Sequence, residues 1–205
     1  SLRLMASLVF IWLYIPHLLI FLINGRVRYD VVADLKLREN TIGFRSTVFL
    51  RLVFFLHNDR YFRNLFYHRI GPALALLIGW YRPGDRYFVI SKTTKIAPGC
   101  YCVHPFSTEI NAESIGCNFS CRNNTTIGNK KDGDNNHRAI IGDNVTLGVS
   151  VCIIGPVHIG NNVTIGAGSI VVKDIPDNCI AVGNPCKPIK YLNNEGEKTN
   201  NCIID

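Results

Sequence analysis

Apolar residues in the second half of the chain recur every six positions. The clearest series is Ile141, Leu147, Ile153, Ile159, Ile165 and Val171, and earlier series with the same period are Ile90, Ile96, Cys102 and Ile115, Cys121, Ile127. A period of six fits neither the 3.6 residues of a helical turn nor the two-residue alternation of an ordinary strand. The six-residue spacing is interrupted between one series and the next, and we expect a loop at each interruption.

The residues beside these apolar positions are small or turn-forming. Glycine follows the aliphatic residue at six places, and Asn or Asp comes one or two positions later in several repeats. Both types adopt corner conformations that β-branched residues resist. The pattern predicts a triangular parallel β-helix, in which three hexapeptides form one coil and each apolar side chain stacks on the one a coil away. Ile141, Ile159 and a position near Asp177 should form one column, and Leu147 and Ile165 another.

The first part of the chain has a different pattern, a nearly continuous apolar run from Leu2 to Ile23. The run is interrupted by Arg3, Ser7, Pro16 and His17. Its length is typical of a transmembrane helix. Pro16 removes a backbone hydrogen bond in its interior, however, so a kinked helix that lies in one leaflet fits as well as a span. A hydrophobic helix packed in an oligomer core is one alternative, and an uncleaved signal peptide, with no A-x-A-like site after it, is the last.

Charge favours a membrane partner for this region. Residues 1–88 hold 12 Lys and Arg against 5 Asp and Glu, whereas residues 89–205 hold 10 of each, so the net charge of +7 lies entirely in the first part. Arginines among apolar helices suit the anionic cytoplasmic face of a membrane. We expect no nucleic-acid partner, because no zinc-finger or RNP-like motif accompanies them. With 47% hydrophobic and 18% charged residues, disorder, collagen and coiled coil are excluded for most of the chain.

Two motifs near the end of the repeats resemble a known family. Residues 164–178 have the sequence TIGAGSIVVKDIPDN, and residues 182–187 have the sequence VGNPCK. Over residues 89–190 the chain resembles left-handed β-helix acyltransferases that use acetyl-CoA, and is most similar to serine acetyltransferases and polysaccharide O-acetyltransferases. The resemblance implies a homotrimer with active sites between subunits.

The resemblance also implies catalytic residues. In such enzymes a histidine acts as general base on the acceptor hydroxyl, which attacks the thioester directly without an acyl-enzyme. The matching histidine is His104, and a second one is His137, in a polar interruption of the repeats. Lys95 stands where we expect the family's orienting carboxylate. Glu109 or Glu113 is therefore the expected partner of His104.

The same resemblance implies which residues contact acetyl-CoA. Gly148 and Ser150 match one contact region, and Ala167 and Gly168 match the next. Lys173 and Lys187 lie where the nucleotide phosphates would be, and lysine suits phosphate as a point charge. We expect no metal. A zinc site on Cys100, Cys102 and His104 is the alternative, but Cys102 falls on an inward position, and the eight cysteines are expected to be free thiols.

Together these patterns and the resemblance, which implies the left-handed twist, predict a mainly β protein with three parts: a helical, membrane-associated region (1–88), a left-handed parallel β-helix (89–190) and a flexible tail (191–205). The expected function is O-acetylation from acetyl-CoA at the cytoplasmic face of a membrane. The acceptor is a surface-polysaccharide sugar or L-serine. A non-catalytic membrane-docked scaffold is the main alternative, and a metal-dependent hydratase on the same fold is a third.

Overall fold

The computed structural model describes residues 2–41, 46–131, 133–134 and 136–192. The chain divides into two compact units, residues 1–86 and 87–205. Residues 193–205, which make up most of the predicted tail, lie outside the described residues.

The first unit is helical. Its α-helices are α1 (Leu2–Val9), α2 (Ile15–Ile23), α3 (Gly25–Lys36), α4 (Val48–Asn58), α5 (Arg60–Ile70) and α6 (Pro72–Gly79), with 3-10 helices at Ile11–Tyr14 and Glu39–Thr41. Side chains cap three of the helices: Asn24 accepts from the Val27 amide, Thr47 from Leu50, and Asp59 from Tyr61 and Phe62. Pro16 lies in the first turn of α2, where its missing N–H costs nothing.

The core of this unit joins the N-terminal apolar run to the later helices. Tyr14, Leu18 and Phe21 pack in one cluster with residues of α4 and α5 such as Leu56 and Phe66. None of the described helices is both long and apolar enough to cross a membrane by itself. Residues Leu2–Val9 and Ile11–Ile23 meet the length and composition requirement only as a pair, and that pair is bent by 67°.

The second unit is a parallel β-helix with three faces. Sheet A contains β1 (Phe88–Ile90), β4 (Thr108–Ile110), β7 (Thr126–Gly128), β10 (Cys152–Ile154) and β13 (Ile170–Val171). Sheet B contains β2 (Lys95–Ile96), β5 (Ser114–Ile115), β8 (Ile140–Ile141) and β11 (His158–Ile159). Sheet C contains β3 (Cys100–Val103), β6 (Phe119–Arg122), β9 (Thr146–Leu147), β12 (Val163–Ile165), β14 (Cys179–Gly183) and β15 (Cys186–Tyr191), the last pairing antiparallel.

Strand register confirms the predicted columns. Ile141 pairs with Ile159, and Leu147 pairs with Ile165. The third member of the first column is Ile175, two residues before the predicted position, because the last coil is shorter than 18 residues. These side chains are almost fully buried, so the six-residue period is the period of the core.

Three edges separate the faces, and we name each by the sheets it joins. The B–C edge carries a ladder of asparagines, in which Asn118, Asn144, Asn162 and Asn178 hydrogen-bond in sequence at 2.8–3.0 Å. All four have φ between 54° and 56°, a left-handed conformation that asparagine tolerates. The C–A and A–B edges carry the residues of functional interest.

Most cysteines belong to the scaffold. Cys100, Cys102, Cys121, Cys152, Cys179 and Cys186 are free thiols. The expectation of free thiols is wrong for Cys117, which is disulfide-bonded.

Candidate active site

His104 lies on a turn of the C–A edge that is longer than the turns that follow it. Val103 and Glu109 are six positions apart, whereas their partners on the next coil, Arg122 and Thr126, are four apart. The extra residues make the first turn project, and the side chain of His104 is exposed. Its backbone has φ 47°, which is uncommon for a residue other than glycine. Unusual backbone conformations of this kind cluster at functional sites.

The acidic residues expected to orient His104 lie at different places. Glu109 is on β4 at the outer surface of sheet A, directly after the His104 turn. Glu113 lies on the A–B edge, where its carbonyl accepts from the Lys95 amide at 3.2 Å. Lys95 itself is on sheet B, the face that does not border the C–A edge. Within the described part of the chain, His104 makes no hydrogen bond to either glutamate, and Glu109 is the one next to its turn.

His137 lies on the longest excursion from the β-helix, on the A–B edge. Ile127 and Ile140 are 13 positions apart, whereas their partners on the preceding coil, Ile110 and Ser114, are four apart. The imidazole is exposed, and its Nδ1 lies 2.9 Å from a carboxylate oxygen of Asp134. This hydrogen bond lowers the pKa of Asp134. Sequence reasoning missed this pair, although the i, i+3 spacing of an acid and a histidine in a polar loop is a signal for it.

Arg138 attaches this loop to the coils. Its guanidinium donates to Thr93 Oγ1 at 2.8 Å and to Asn111 Oδ1 at 3.3 Å. Asn111 also donates to the side chain of Asn129, at the start of the loop, at 3.2 Å. These contacts tie the beginning and the end of the His137 loop to two coils of the A–B edge. Sequence reasoning did not single out Arg138.

Four of the residues expected to contact acetyl-CoA, Gly148, Ser150, Ala167 and Gly168, form a strip on the C–A edge, the edge that carries His104. The Asn124 amide donates to Phe106 at 3.0 Å, Ser150 to Asn123 at 3.0 Å, and Gly168 to Val149 at 2.8 Å. Successive turns therefore stack below the His104 turn, with Gly148 and Ser150 on one coil and Ala167 and Gly168 on the next. The fold thus brings together two groups of residues that are far apart in sequence.

The strip has room for an extended ligand. Ala167 and Gly168 are exposed, and a Cβ added to Gly168 would have no atom within 4 Å. Gly148 differs, because a Cβ there would lie 2.6 Å from the Ala167 amide nitrogen. Gly148 therefore serves the packing of adjacent coils, and the open surface is at Ser150, Ala167 and Gly168. Small residues along such an edge allow a ligand to approach the main-chain amides.

The two lysines lie on different edges. Lys187 is on β15 opposite Val182, whose side chain lies directly against Gly166 in the strip. Lys187 thus extends the C–A strip at its C-terminal end. Lys173 follows β13, on the A–B edge with His137. Both lysine side chains are exposed.

A metal centre does not assemble from the described residues, which contain no cluster of three or more His, Cys, Asp and Glu side chains. Cys100 and Cys102 lie with their sulfurs 3.9 Å apart, and both are buried.

Comparison with known proteins identifies the repeats. Residues 138–173 match the family model described as bacterial transferase hexapeptide (six repeats). These coils are therefore similar to the repeats of bacterial hexapeptide transferases. The chain is also 44% identical over 70 residues to the galactoside O-acetyltransferase of Lactococcus lactis, an alignment that covers 34% of this chain and 34% of that protein.

Solved structures extend the likeness beyond the hexapeptide repeats. The serine acetyltransferase of Neisseria gonorrhoeae superposes with a TM-score of 0.64 at 25% identity, over 82% of this chain and 68% of that chain. The serine acetyltransferase of Brucella abortus in complex with coenzyme A has the same fold, with a TM-score of 0.62 at 18% identity over 83% and 70% of the two chains. The predicted fold class, the left-handed β-helix of acyltransferases with N-terminal helices, agrees with these structures. Alignments with the curated relatives span about a third of their length or less.

Proposed function

We propose that this protein is an acetyl-CoA-dependent O-acetyltransferase and that its C–A edge holds the donor. The observation that carries the proposal is the continuity of this edge, with His104 on a projecting turn at one end and small, exposed residues on the coils below. Named relatives support the reaction class, since they include galactoside O-acetyltransferase and serine acetyltransferases. The coenzyme A complex of a structural neighbour supports the donor.

In the proposed reaction, His104 acts as general base. Its imidazole takes the proton of the acceptor hydroxyl while the hydroxyl oxygen attacks the thioester carbonyl carbon. The carbon–sulfur bond then breaks, and the imidazolium returns its proton to the coenzyme A thiolate. The exposed position of His104 suits this role, because both the acceptor and the thioester must reach it. Glu109 is the proposed orienting carboxylate.

His137 is proposed to complete the site from a neighbouring subunit. His104 and His137 lie on the two edges that flank sheet A, and both project from the coils. In a threefold assembly, the C–A edge of one subunit can face the A–B edge of the next. A homotrimer with three shared sites would bring the two histidines, and with them Lys173, to one cleft. Asp134 would then fix the tautomer of His137.

The proposed acceptor is a sugar hydroxyl of a surface polysaccharide or of its lipid-linked precursor. The similarity to a galactoside O-acetyltransferase and the basic, apolar first unit favour it. L-Serine is the second candidate, favoured by the serine acetyltransferase structures. Acetyl-CoA is a cytoplasmic metabolite, so we propose that the enzyme works at the cytoplasmic face of the membrane.

Thiol release from acetyl-CoA tests the proposal. We expect release by the full chain that depends on a sugar acceptor, and a loss of at least about 100-fold for His104→Gln. His158→Gln is the matched control, because His158 is also an exposed histidine of the β-helix but lies on sheet B, and it should retain full activity. Thiol release that depends on L-serine and not on any sugar would show that the acceptor is serine. Failure to bind acetyl-CoA would overturn the proposal and favour the non-catalytic scaffold.

A further inference from the structure

The first unit exposes an apolar surface on one side of its N-terminal helices. Large side chains of α1, α2 and the intervening 3-10 helix point away from the core, including Leu2, Met5, Val9, Trp12, Leu19 and Ile23. Trp12 is 60% exposed and Ile23 is 81% exposed. Many large exposed apolar side chains on one short segment favour contact with another molecule or with a membrane.

Ser7, Tyr14 and His17 of the same segment point the other way, into the helical unit, whereas Arg3 is exposed. Ser7 accepts from Asn58 of α4 at 2.8 Å, and His17 is hydrogen-bonded to Tyr67 of α5 at 3.1 Å. Tyr14 is fully buried and contacts His57 and Arg82. The segment therefore has one face fixed to the helical unit by hydrogen bonds and one apolar face that is left uncovered within the unit.

Helix α6 adds to this surface. Tyr81, just after α6, donates from its hydroxyl to the Leu13 carbonyl at 2.8 Å, which holds the end of α6 beside the 3-10 helix. Leu76, Leu77 and Trp80 of this region are exposed, Trp80 to 78%. We call the exposed apolar residues of the 2–23 segment, together with Leu76, Leu77 and Trp80, the apolar face.

Charge distinguishes between possible occupants of the apolar face. The first 88 residues carry 12 basic against 5 acidic side chains. Arg26 and Arg28 follow the apolar segment directly, both are exposed, and Arg28 donates to the Leu22 carbonyl at 3.2 Å. Two basic surfaces repel each other, which disfavours a second copy of this face as partner. Anionic phospholipid attracts both the basic rim and the apolar centre.

The two tryptophans of the chain both belong to the apolar face. Tryptophan is enriched where a membrane meets water, because its ring is apolar and its indole N–H is polar. We infer that the apolar face inserts into one leaflet of an anionic phospholipid bilayer, with residues 2–23 lying along the surface rather than across it. The 67° bend and the one-sided hydrogen bonding of Ser7, Tyr14 and His17 fit a segment that is half embedded in protein.

Vesicle binding of the full chain tests this inference. We expect the protein to sediment with phosphatidylcholine vesicles containing about a third phosphatidylserine, at least about tenfold more strongly than with phosphatidylcholine alone, and less at high salt. Leu77→Asp should reduce binding about tenfold or more. Ile189→Asp, at an equally exposed apolar residue of β15, is the matched control and should bind normally. Unchanged binding of Leu77→Asp would overturn the inference.

Tryptophan depth separates an in-plane segment from a span. Trp12 is near the middle of residues 2–23, so a span would carry it to the bilayer centre, whereas an in-plane segment keeps it near the headgroups. We expect Trp80→Phe, which retains Trp12 alone, to be quenched more by lipids brominated at carbons near the headgroup than by lipids brominated deep in the chain. Deeper quenching, or a soluble assembly that hides Trp12 and ignores vesicles, would overturn the inference. Neither result changes the outcome expected for thiol release from acetyl-CoA, so the membrane inference and the proposed reaction can fail independently.

Discussion

Asp134 holds the imidazole of His137 through Nδ1 at 2.9 Å, on a loop that Arg138 fastens to two coils of the β-helix. A carboxylate on Nδ1 leaves Nε2 as the nitrogen that can exchange a proton with a ligand. The acid–histidine pair that sequence reasoning sought at His104 is thus present at the second histidine. It gives His137 a defined orientation even though its side chain is exposed.

Replacing Asp134 should test whether that orientation matters for turnover. For Asp134→Asn we expect kcat to fall about tenfold and its pH profile to change, because the amide no longer fixes the tautomer. Steady-state kinetics across pH 6–9 measures this. Asp134→Glu should recover part of the rate. An unchanged kcat and pH profile for Asp134→Asn would show that the contact between Asp134 and His137 takes no part in turnover.

Glu109 and Glu113 offer a matched pair of carboxylates. Glu109→Gln should lower kcat by about tenfold or more and alter its pH profile, because Glu109 directly follows the His104 turn. Glu113→Gln should leave kcat unchanged, since Glu113 lies on the A–B edge and not beside His104. Equal effects of the two substitutions would contradict the assignment of Glu109 to His104.

Lys187 is expected to contribute to donor binding. Removing one point charge from a phosphate site that is open to water should raise the KM for acetyl-CoA by about three- to tenfold and leave kcat nearly unchanged. The variant is Lys187→Ala. Lys190→Ala, on the same strand opposite Ile180 and away from the C–A strip, serves as its control. If both variants raise the KM for acetyl-CoA equally, the effect comes from the overall positive charge of the protein and not from a contact between Lys187 and the donor.

Gly148 should be sensitive to any added side chain. A Cβ at this position would lie 2.6 Å from the Ala167 amide nitrogen, whereas a Cβ at Gly128 would approach nothing closer than 3.9 Å. We expect Gly148→Ala to cost about 1–3 kcal/mol of stability, because backbone must shift to accept the methyl group. Chemical denaturation followed by far-UV circular dichroism measures it. Gly128→Ala should cost much less, and equal losses would contradict the packing role.

Stability of the first unit should depend on pH through His17. Burial, together with the nearby Arg63 and Arg82, lowers the pKa of His17 to about 4. The unfolded chain binds a proton near pH 6.5, so the folded form loses stability as the pH falls from about 6.5 to about 4. The free energy of unfolding of the first unit should therefore be about 2 kcal/mol lower at pH 5 than at pH 7.5.

Tryptophan fluorescence reports this unfolding, because both tryptophans are in the first unit. His17→Gln should flatten the dependence of unfolding free energy on pH between 5 and 7.5. The pKa of His57 is lowered by burial in the same cluster, so a smaller slope should remain. His158→Gln should not change the slope. A slope that His17→Gln leaves unaltered would show that other groups govern the acid sensitivity.

The β-helix was predictable because its core residues can be recognised from the sequence alone. Each inward position takes one aliphatic side chain every six residues, and the corners need glycine or asparagine, so the pattern is local and repeats many times. Only the last member of the first column differs from the prediction: it is Ile175, because the final coil is shorter than 18 residues and the six-residue period does not show this. The site was less predictable. The resemblance supplied His104, but Lys95 lies on the face opposite the C–A edge, and the Asp134 partner of His137 depends on how the loop folds back.

The sequence by itself determined the period of the core, the helical and basic character of the first 88 residues, and the motifs that resemble acyltransferases. All of these are properties of neighbouring residues. The tertiary structure decided which edges those residues share, because coil length and turn length set the register between distant hexapeptides. It brought the His104 turn above Ser150 and Gly168, separated Glu109 from Glu113, and turned Ser7, Tyr14 and His17 inward. Such relationships depend on contacts between residues far apart in the chain, which a local pattern does not encode.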